Sequence, residues 1–300
     1  VRPSSKCILV TGASGFVGSR LVSRLKHHGH TIVATCTGEA PAHSEGIHWL
    51  KWNALTHQLP EIEERVDTVI HLAGHRDYHQ WPDKAAEIFD VAVGSTVAWL
   101  EFARIRGVKS FILASTGDAL GNMDRTQRED DGDYRPASFY GAVKACSELI
   151  SRQYEKFMSI AVARFYHPYG LGGDRFLVNR LLRRVSRSET VFLEGDEGII
   201  LNPVWIDDLC EGLSSLVMTE ASGTFHLAGP RTLTLRALVE LMGKITGIPP
   251  KIETRSTGGY SHHDAEFERM TSCCHYRPVI GPEEGLRLCW KEMRDTDFAS

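Results

Sequence analysis

Tyr140 and Lys144 stand four residues apart in Ser138-Phe139-Tyr140-Gly141-Ala142-Val143-Lys144, at the head of a run with helical periodicity. This spacing puts a phenol and an ammonium on one helix face, one turn apart. A neighbouring ammonium favours phenolate and lowers a tyrosine pKa, which suits Tyr140 to pass a proton to or from a substrate oxygen. A Tyr-x-x-x-Lys pair by itself marks many surface helices, so its meaning depends on what surrounds it. Upstream, Ser110-Phe111-Ile112-Leu113-Ala114 reads as a buried strand running into Ser115-Thr116. Hydroxyls there would sit at the carboxyl edge of a sheet, where open α/β folds bind ligands.

A second constellation lies near the N-terminus. Thr11-Gly12-Ala13-Ser14-Gly15-Phe16-Val17-Gly18 follows the apolar run Cys7-Ile8-Leu9-Val10 and opens a helical stretch over residues 17–28. Glycine is needed where a chain turns tightly, where backbone approaches a pyrophosphate, and where a helix packs closely on a strand. The helix N-terminus behind such a loop offers free N–H groups to phosphate. Gly12, Ser14, Gly15, Phe16, Val17 and Gly18 are therefore expected to cradle a dinucleotide, with Gly-x-x-Gly-x-x-Gly spacing rather than Gly-x-Gly-x-x-Gly. After the second strand the chain reads Thr35-Cys36-Thr37-Gly38-Glu39, with no acid at the strand end for a ribose and no arginine for a 2′-phosphate. The Thr35 and Thr37 hydroxyls suit either NAD or NADP.

The elements that must position these groups alternate in type. Strands are expected at 7–10, 31–34, 68–72, 110–114 and 159–164, with helices over 84–106 and 138–157. Strands alternating with helices imply a Rossmann-type α/β fold, a doubly wound parallel sheet covered on both faces. After about residue 168 the rhythm changes to a helix at 175–187, short strands near 191–193 and 224–227, and a helix at 234–246. We therefore expect an NAD(P)-binding domain over 1–168 and a smaller C-terminal α/β substrate lobe over 169–300, interleaved around 168–230.

Composition narrows the function classes. Of 300 residues, 42% are hydrophobic and 24% charged, the balance of a globular protein, and the net charge of -4 gives no reason to expect nucleic acid or an anionic membrane surface. Val1 to Lys6 lack the apolar stretch of a secretory signal, no apolar run approaches a membrane span, and seven scattered cysteines read as reduced thiols. A cytoplasmic enzyme is the expectation. His262-His263-Asp264 and Cys273-Cys274-His275 lack the ligand spacing of a metal site, so no metal is expected.

These residues together resemble the extended short-chain dehydrogenase/reductases, the NAD-dependent epimerase/dehydratase family, over nearly the whole chain. Thr11 to Gly18 is similar to that family's cofactor loop. Asn53-Ala54 stands where an Asp-apolar pair meets adenine, and His71-Leu72-Ala73-Gly74 resembles the strand end passing the cofactor. Ser115-Thr116-Gly117-Asp118-Ala119-Leu120-Gly121 resembles the Ser-Ser/Thr-x-x-Val-Tyr-Gly segment. Tyr140-x-x-x-Lys144 with Glu148 resembles the Tyr-Gly-x-x-Lys-x-x-x-Glu helix. Arg164-Phe165-Tyr166-His167-Pro168-Tyr169-Gly170 is similar to Arg-x-x-Asn-x-Tyr-Gly. The resemblance implies that Tyr140 moves the proton, Lys144 holds the nicotinamide ribose and Thr116 binds the substrate oxygen. It implies oxidation of a sugar or nucleotide-sugar hydroxyl, and a homodimer paired through the helices at 84–106 and 138–157.

The departures fall on substrate-side positions. His167 replaces the asparagine of Arg-x-x-Asn, Val91 that of Asn-Val-x-Gly-Thr, and Leu120 the tyrosine of Val-Tyr-Gly. Leu201 stands where an arginine commonly grips a diphosphate, and an arginine fork is not matched by an apolar side chain. Either Arg175, Arg180, Arg231, Lys251 or Arg255 replaces it, or the substrate lacks a diphosphate. Thr116-Gly117-Asp118 lacks the first acid of Thr-Asp-Glu, which makes 4,6-dehydration a poorer fit than epimerisation or dehydrogenation. Ser115, Asp118 and His167 remain the substrate-contact candidates. Two other readings stay open: an NAD(P)-dependent ketone reductase or dehydrogenase on a non-nucleotide substrate, and a non-catalytic dinucleotide sensor.

Overall fold

A computed structural model of the chain describes residues 5–41, 45–56, 58–255 and 261–297. Strand β1 (Cys7–Thr11) and helix α1 (Phe16–His27) are followed by β2 (Thr31–Cys36), β3 (Ile47–Lys51) and β4 (Thr68–His71). Helices α2 (Ala85–Phe89) and α3 (Ser95–Arg106) lead to β5 (Ser110–Thr116), α4 (Phe139–Arg152) and β6 (Ser159–Phe165). Then come α5 (Leu177–Ser186), β7 (Thr190–Glu194), β8 (Ile200–Leu201), α6 (Ile206–Thr219) and β9 (Gly223–Leu227). The described chain closes with β10 (Leu233–Thr234), α7 (Leu235–Thr246), β11 (Lys251–Arg255), β12 (His262–His263), α8 (Glu268–Cys274) and α9 (Pro282–Asp297).

Seven strands form one sheet in the order β3-β2-β1-β4-β5-β6-β9, with every pairing parallel. Parallel neighbours require crossovers, and the helices that supply them cover both faces, so the central strands read as unbroken apolar runs. On one face Ile8, Val10 and Ile32 pack with Leu21 and Leu25 of α1 and with α6. On the other, Leu9, Val33, Val69 and Phe111 pack with Trp99 and Leu100 of α3. The Rossmann-type doubly wound sheet is as expected. Winding runs from β1 outward to β2 and β3 and then resumes on the other side at β4. The crevice therefore opens at the carboxyl ends of β1 and β4.

Three local expectations are corrected. β3 is an additional strand: at the sheet edge its Ile-His-Trp-Leu-Lys sequence is half-exposed and carries no apolar run. The helix expected over 84–106 is interrupted by a wider π turn at Asp90–Gly94. There the Ser95 and Thr96 hydroxyls donate to the Val91 and Ala92 carbonyls at 2.6 Å, side-chain bonds that compete with the regular helical ladder. Ser95 also lies 3.1 Å from the buried His71, whose other ring nitrogen is 2.7 Å from Thr11 Oγ1, so the turn braces the floor of the glycine loop. Helix α4 ends at Arg152 and the chain proceeds through turns to 157.

Residues beyond β6 form two further small sheets, β10-β8-β12 and β11-β7. Helix α6 packs on α1, and β9 rejoins the main sheet beside β6. All seven cysteines are free thiols. Among the described residues no helix is long and apolar enough to cross a membrane.

Candidate active site

The glycine loop is shaped by contacts that only glycine permits. Gly12 has φ of +65°, and a Cβ there would stand 2.9 Å from the Ala73 nitrogen. A Cβ on Gly18 would stand 2.3 Å from the Gly12 oxygen and 2.7 Å from the Ala13 Cα, so α1 can approach β1 this closely only without a side chain. Gly15 caps α1 with extended backbone and no side-chain hydrogen bond, which leaves the first-turn N–H groups of Phe16, Val17 and Gly18 facing out of the helix. Ser14 is exposed in the loop. The Phe16 ring packs 4.7 Å from that of Phe176.

Leu72, Ala73 and Gly74 run along the opposite wall, where Ala73 N–H donates to Thr11 Oγ1 at 3.2 Å. At the far end of β2, Thr35 Oγ1 is buried without a partner and Thr37 is exposed. Trp52 N–H donates to the Cys36 carbonyl at 2.8 Å, which brings Asn53 and Ala54 beside that strand end. Asn53 Oδ1 accepts from Leu55 N–H at 3.1 Å, and Ala54 is buried. A loop closed to a Cβ at Gly12 and Gly18, a helix N-terminus without a side-chain cap and two flanking walls fit a dinucleotide laid across the sheet edge.

The chemistry-bearing residues gather around one cavity of 260 Å³ at the carboxyl ends of β5 and β6. Val17, Leu72 and Gly74 line it from the cofactor side. Ser115, Thr116, Asp118, Tyr140, Lys144 and His167 line it from the sheet and α4, and Tyr78, Phe176, Leu177 and His263 complete it. The structure thus joins the expected catalytic and substrate-side residues, while Thr37, Asn53 and Ala54 lie outside this cavity.

Local structure explains each placement. Ser138 caps α4 by accepting from Gly141 N–H at 3.0 Å, which aims the first turn at the cavity. A Cβ on Gly141 would stand 2.3 Å from the Asp118 carbonyl oxygen, so the helix end rests directly on the strand-end turn. Thr116 caps that turn, its Oγ1 accepting from Asp118 N–H at 3.2 Å, and its own hydroxyl proton stays available to a substrate oxygen. Ser115 differs from its expected substrate-contact role: its hydroxyl donates to Glu148 Oε1, so its proton is already committed.

Electrostatics correct one further expectation. The Lys144 ammonium donates to the Ala114 carbonyl at 2.7 Å rather than to Tyr140, and burial pulls its pKa down to about 8 against the opposing charge of Glu148. The Tyr140 phenol is pushed up, not down, by burial first and then by Asp118 and Tyr78. Tyr78 stacks on it with ring centroids 4.4 Å apart and planes at 30°. Burial acts to raise the Asp118 carboxyl, but hydrogen bonding and charge from His263 and His167 hold it below the usual range. The His263 Nδ1 to Asp118 Oδ1 distance is 3.5 Å. His167 adopts φ of +46°, and burial with help from His263 lowers its pKa to about 4.

Sequence reasoning passed over Tyr78, Phe176, Leu177 and His263. Tyr78 belongs to the same loop as His75, His79 and Trp81, and its signal was aromatic spacing: Tyr78 and Trp81 dock on the adjacent rings of Tyr140 and Phe139. In sequence His263 stands out only within His262-His263-Asp264, a run without metal-ligand spacing. It reaches the cavity because β12 pairs with β8, a register no local pattern reveals.

Comparison with known proteins identifies the scaffold. The model of the NAD dependent epimerase/dehydratase family matches residues 8–226. This chain belongs to that family. It is 25% identical over 307 residues to UDP-glucuronic acid decarboxylase 4 of Arabidopsis thaliana, covering 97% of this chain and 69% of that protein. It is 23% identical over 305 residues to UDP-glucuronate 4-epimerase of Thermodesulfobacterium geofontis, covering 93% of each. Among solved structures, MoeE5 in complex with UDP-glucuronic acid and NAD superposes with a TM-score of 0.84 at 24% identity, over 96% of this chain and 99% of that one. UDP-glucuronic acid 4-epimerase from Bacillus cereus, in complex with UDP-glucuronic acid and NAD, gives 0.83 at 21% identity, over 97% and 99%.

Within this family member Glu148 and Arg164 form the support beneath the site. Both side chains are fully buried, with Nη2 2.8 Å from Oε2 and Nε 3.1 Å from Oε1. Tyr134 O–H donates to the same carboxylate at 2.8 Å. Leu201 is fully buried in β8 and contributes no polar group.

Proposed function

We propose that this chain is an NAD-dependent enzyme that oxidises a hydroxyl of a nucleotide sugar, as the first step of an epimerase or dehydrogenase cycle. The observation carrying this reading is the single cavity that Thr116, Tyr140 and Lys144 share with Val17 and Gly74 of the dinucleotide crevice. The names of relatives and structural neighbours, UDP-sugar enzymes and complexes with NAD, support the substrate class and the choice of cofactor. The dinucleotide would lie on Gly12, Gly15 and Gly18, pass Leu72, Ala73 and Gly74, and supply the two-electron acceptor.

Thr116 donates to the substrate oxygen and orients it. Tyr140 takes that hydroxyl's proton as the carbon is oxidised, and returns it if the carbonyl is reduced again. Lys144 keeps a positive charge one turn below the phenol. Held by the glycine loop, NAD in its oxidised form would supply positive charge to the site, which with Lys144 would favour phenolate against burial and Asp118. Gly141, Ser138 and the Glu148–Arg164 pair hold these groups in register, and Tyr78 excludes water from the phenol by stacking on it. Pairing through α3 and α4 belongs to the same reading, since Ile105 of α3, Leu149 of α4 and Phe157 in the turns just beyond it leave apolar surface exposed.

The buried Leu201 favours one alternative, a dehydrogenase or reductase whose substrate has no diphosphate. Incubation with UDP-sugars separates the readings. An epimerase converts one sugar to another with no lasting absorbance change at 340 nm, whereas a dehydrogenase accumulates NADH in proportion to product. Tyr140→Phe is expected to lower kcat by about 10²–10⁴-fold with NAD binding retained. Full activity in that variant would refute the assignment of Tyr140, whereas NAD binding with no turnover of any sugar nucleotide by the unaltered protein would return the sensor reading.

A further inference from the structure

We propose that the substrate unit seated against Tyr140 is a neutral polyhydroxyl ring, selected over a carboxylate-bearing one by Asp118, with His263 as the residue that positions that carboxylate. The inference rests on the nucleotide-sugar reading above and adds the chemical class of the sugar.

The charges around the cavity carry it. Among the described residues that line it, Lys144 is the one lysine or arginine, and its ammonium is tied to the strand beneath Tyr140 by the Ala114 carbonyl at 2.7 Å. Asp118 is the one carboxylate. His263 Nδ1 faces Asp118 Oδ1 at 3.5 Å while Nε2 lies 3.1 Å from Asn122 Oδ1, so the ring is fixed from both sides. Lys144 and Asp118 cancel as fixed charges, and a protonated His263 would be held against the Asp118 carboxylate it faces. His167 stands beside it with ring centroids 6.0 Å apart, where a second positive charge would be opposed by the first.

Among the described lining residues no lysine or arginine besides Lys144 is present to pair with a sugar carboxylate, and the Asp118 carboxylate would repel one. Sugar hydroxyls meet the opposite situation. They donate to Asp118, accept from Thr116, and exchange either role with the His167 imidazole. Arg180 bears on Tyr78 electrostatically, but it is an exposed residue of α5 and does not line the cavity.

The test is titration calorimetry on the NAD-loaded protein with UDP-glucose and UDP-glucuronic acid. The neutral ligand is expected to bind at least about ten-fold tighter, the scale of one uncompensated like-charge contact. Asp118→Asn should shrink that ratio chiefly by strengthening UDP-glucuronic acid binding. His263→Asn should weaken UDP-glucose binding, and retained NAD affinity reports that each variant is folded. Equal or tighter binding of UDP-glucuronic acid by the unaltered protein overturns this proposal alone. If NAD binds but neither sugar nucleotide does, the nucleotide-sugar reading falls and this proposal with it. A ratio unchanged by Asp118→Asn would remove Asp118 as the selecting group.

Discussion

Replacing Arg164 by methionine probes the support under the active site most directly. The Glu148 carboxylate accepts from Arg164 through Nε at 3.1 Å and Nη2 at 2.8 Å, from Tyr134 at 2.8 Å and from Ser115, with both charged side chains fully buried. Arg164→Met removes the charged donors and leaves an ionised carboxylate in the interior with two neutral hydroxyls. Uncovering a buried charge in this way costs about 3–5 kcal/mol. Adding Glu148→Leu removes the stranded charge. What remains is the loss of an acceptor by Tyr134 and Ser115, about 1 kcal/mol each. The double variant should therefore be about 2 kcal/mol more stable than Arg164→Met alone. Equilibrium urea denaturation of the native protein, both single variants and the double gives the coupling energy directly. A loss below about 1 kcal/mol for Arg164→Met, or a double variant less stable than that single one, would refute the reasoning.

Three further outcomes follow from the same groups. Lys144 has its pKa lowered from 10.5 to about 8 by burial, so its ammonium opposes folding below pH 8, and that opposition fades as pH rises toward 10.5. Lys144→Met should be as stable as the native chain or more so at pH 7 while losing activity, and thermal melts from pH 7 to 10 should converge if the sign is right. His71 and His226 are buried with pKa values lowered to about 3, so both stay neutral when folded and take up protons on unfolding below pH 6.5. Urea midpoints should fall steadily between pH 6.5 and 4, and His71→Gln should flatten that slope; a slope unmoved by the substitution would exclude His71 as a source. Tyr78→Ala removes a ring stacked 4.4 Å from Tyr140 and one cause of its raised pKa. It should cost about 1 kcal/mol of stability and move the acidic limb of kcat/KM for oxidation to lower pH, a displacement that a pH-rate profile detects.

How much was legible in the sequence depended on whether a signal was local. The glycine loop could be read because turn, close approach and helix start all fall within residues 11–18, each demanding the same residue type. Tyr140 and Lys144 could be read because helical spacing is local, but their charges could not. The chain direction put Lys144 one turn below the phenol, whereas the Ala114 carbonyl, on a neighbouring strand, took its proton donor. Ser115 and Thr116 look equivalent in sequence and both line the cavity, yet strand alternation commits the Ser115 hydroxyl proton to Glu148 and leaves that of Thr116 available. The π turn at 90–94 escaped because hydroxyls that bond backward leave hydrophobic periodicity nearly unchanged.

The amino-acid sequence alone determined the parallel sheet, the glycine loop and the positions of Thr116, Tyr140 and Lys144, because apolar runs, glycines and i, i+4 pairs act over a few residues. Only the tertiary structure decided the substrate side. His263 enters through the pairing of β12 with β8, Tyr78 through a loop folded onto α4, and Asp118 through the helix end that rests on its carbonyl. Contacts between residues this distant depend on how strands order and helices cross, and the electrostatic state of Tyr140 is the sum of those contacts rather than a property of its own segment.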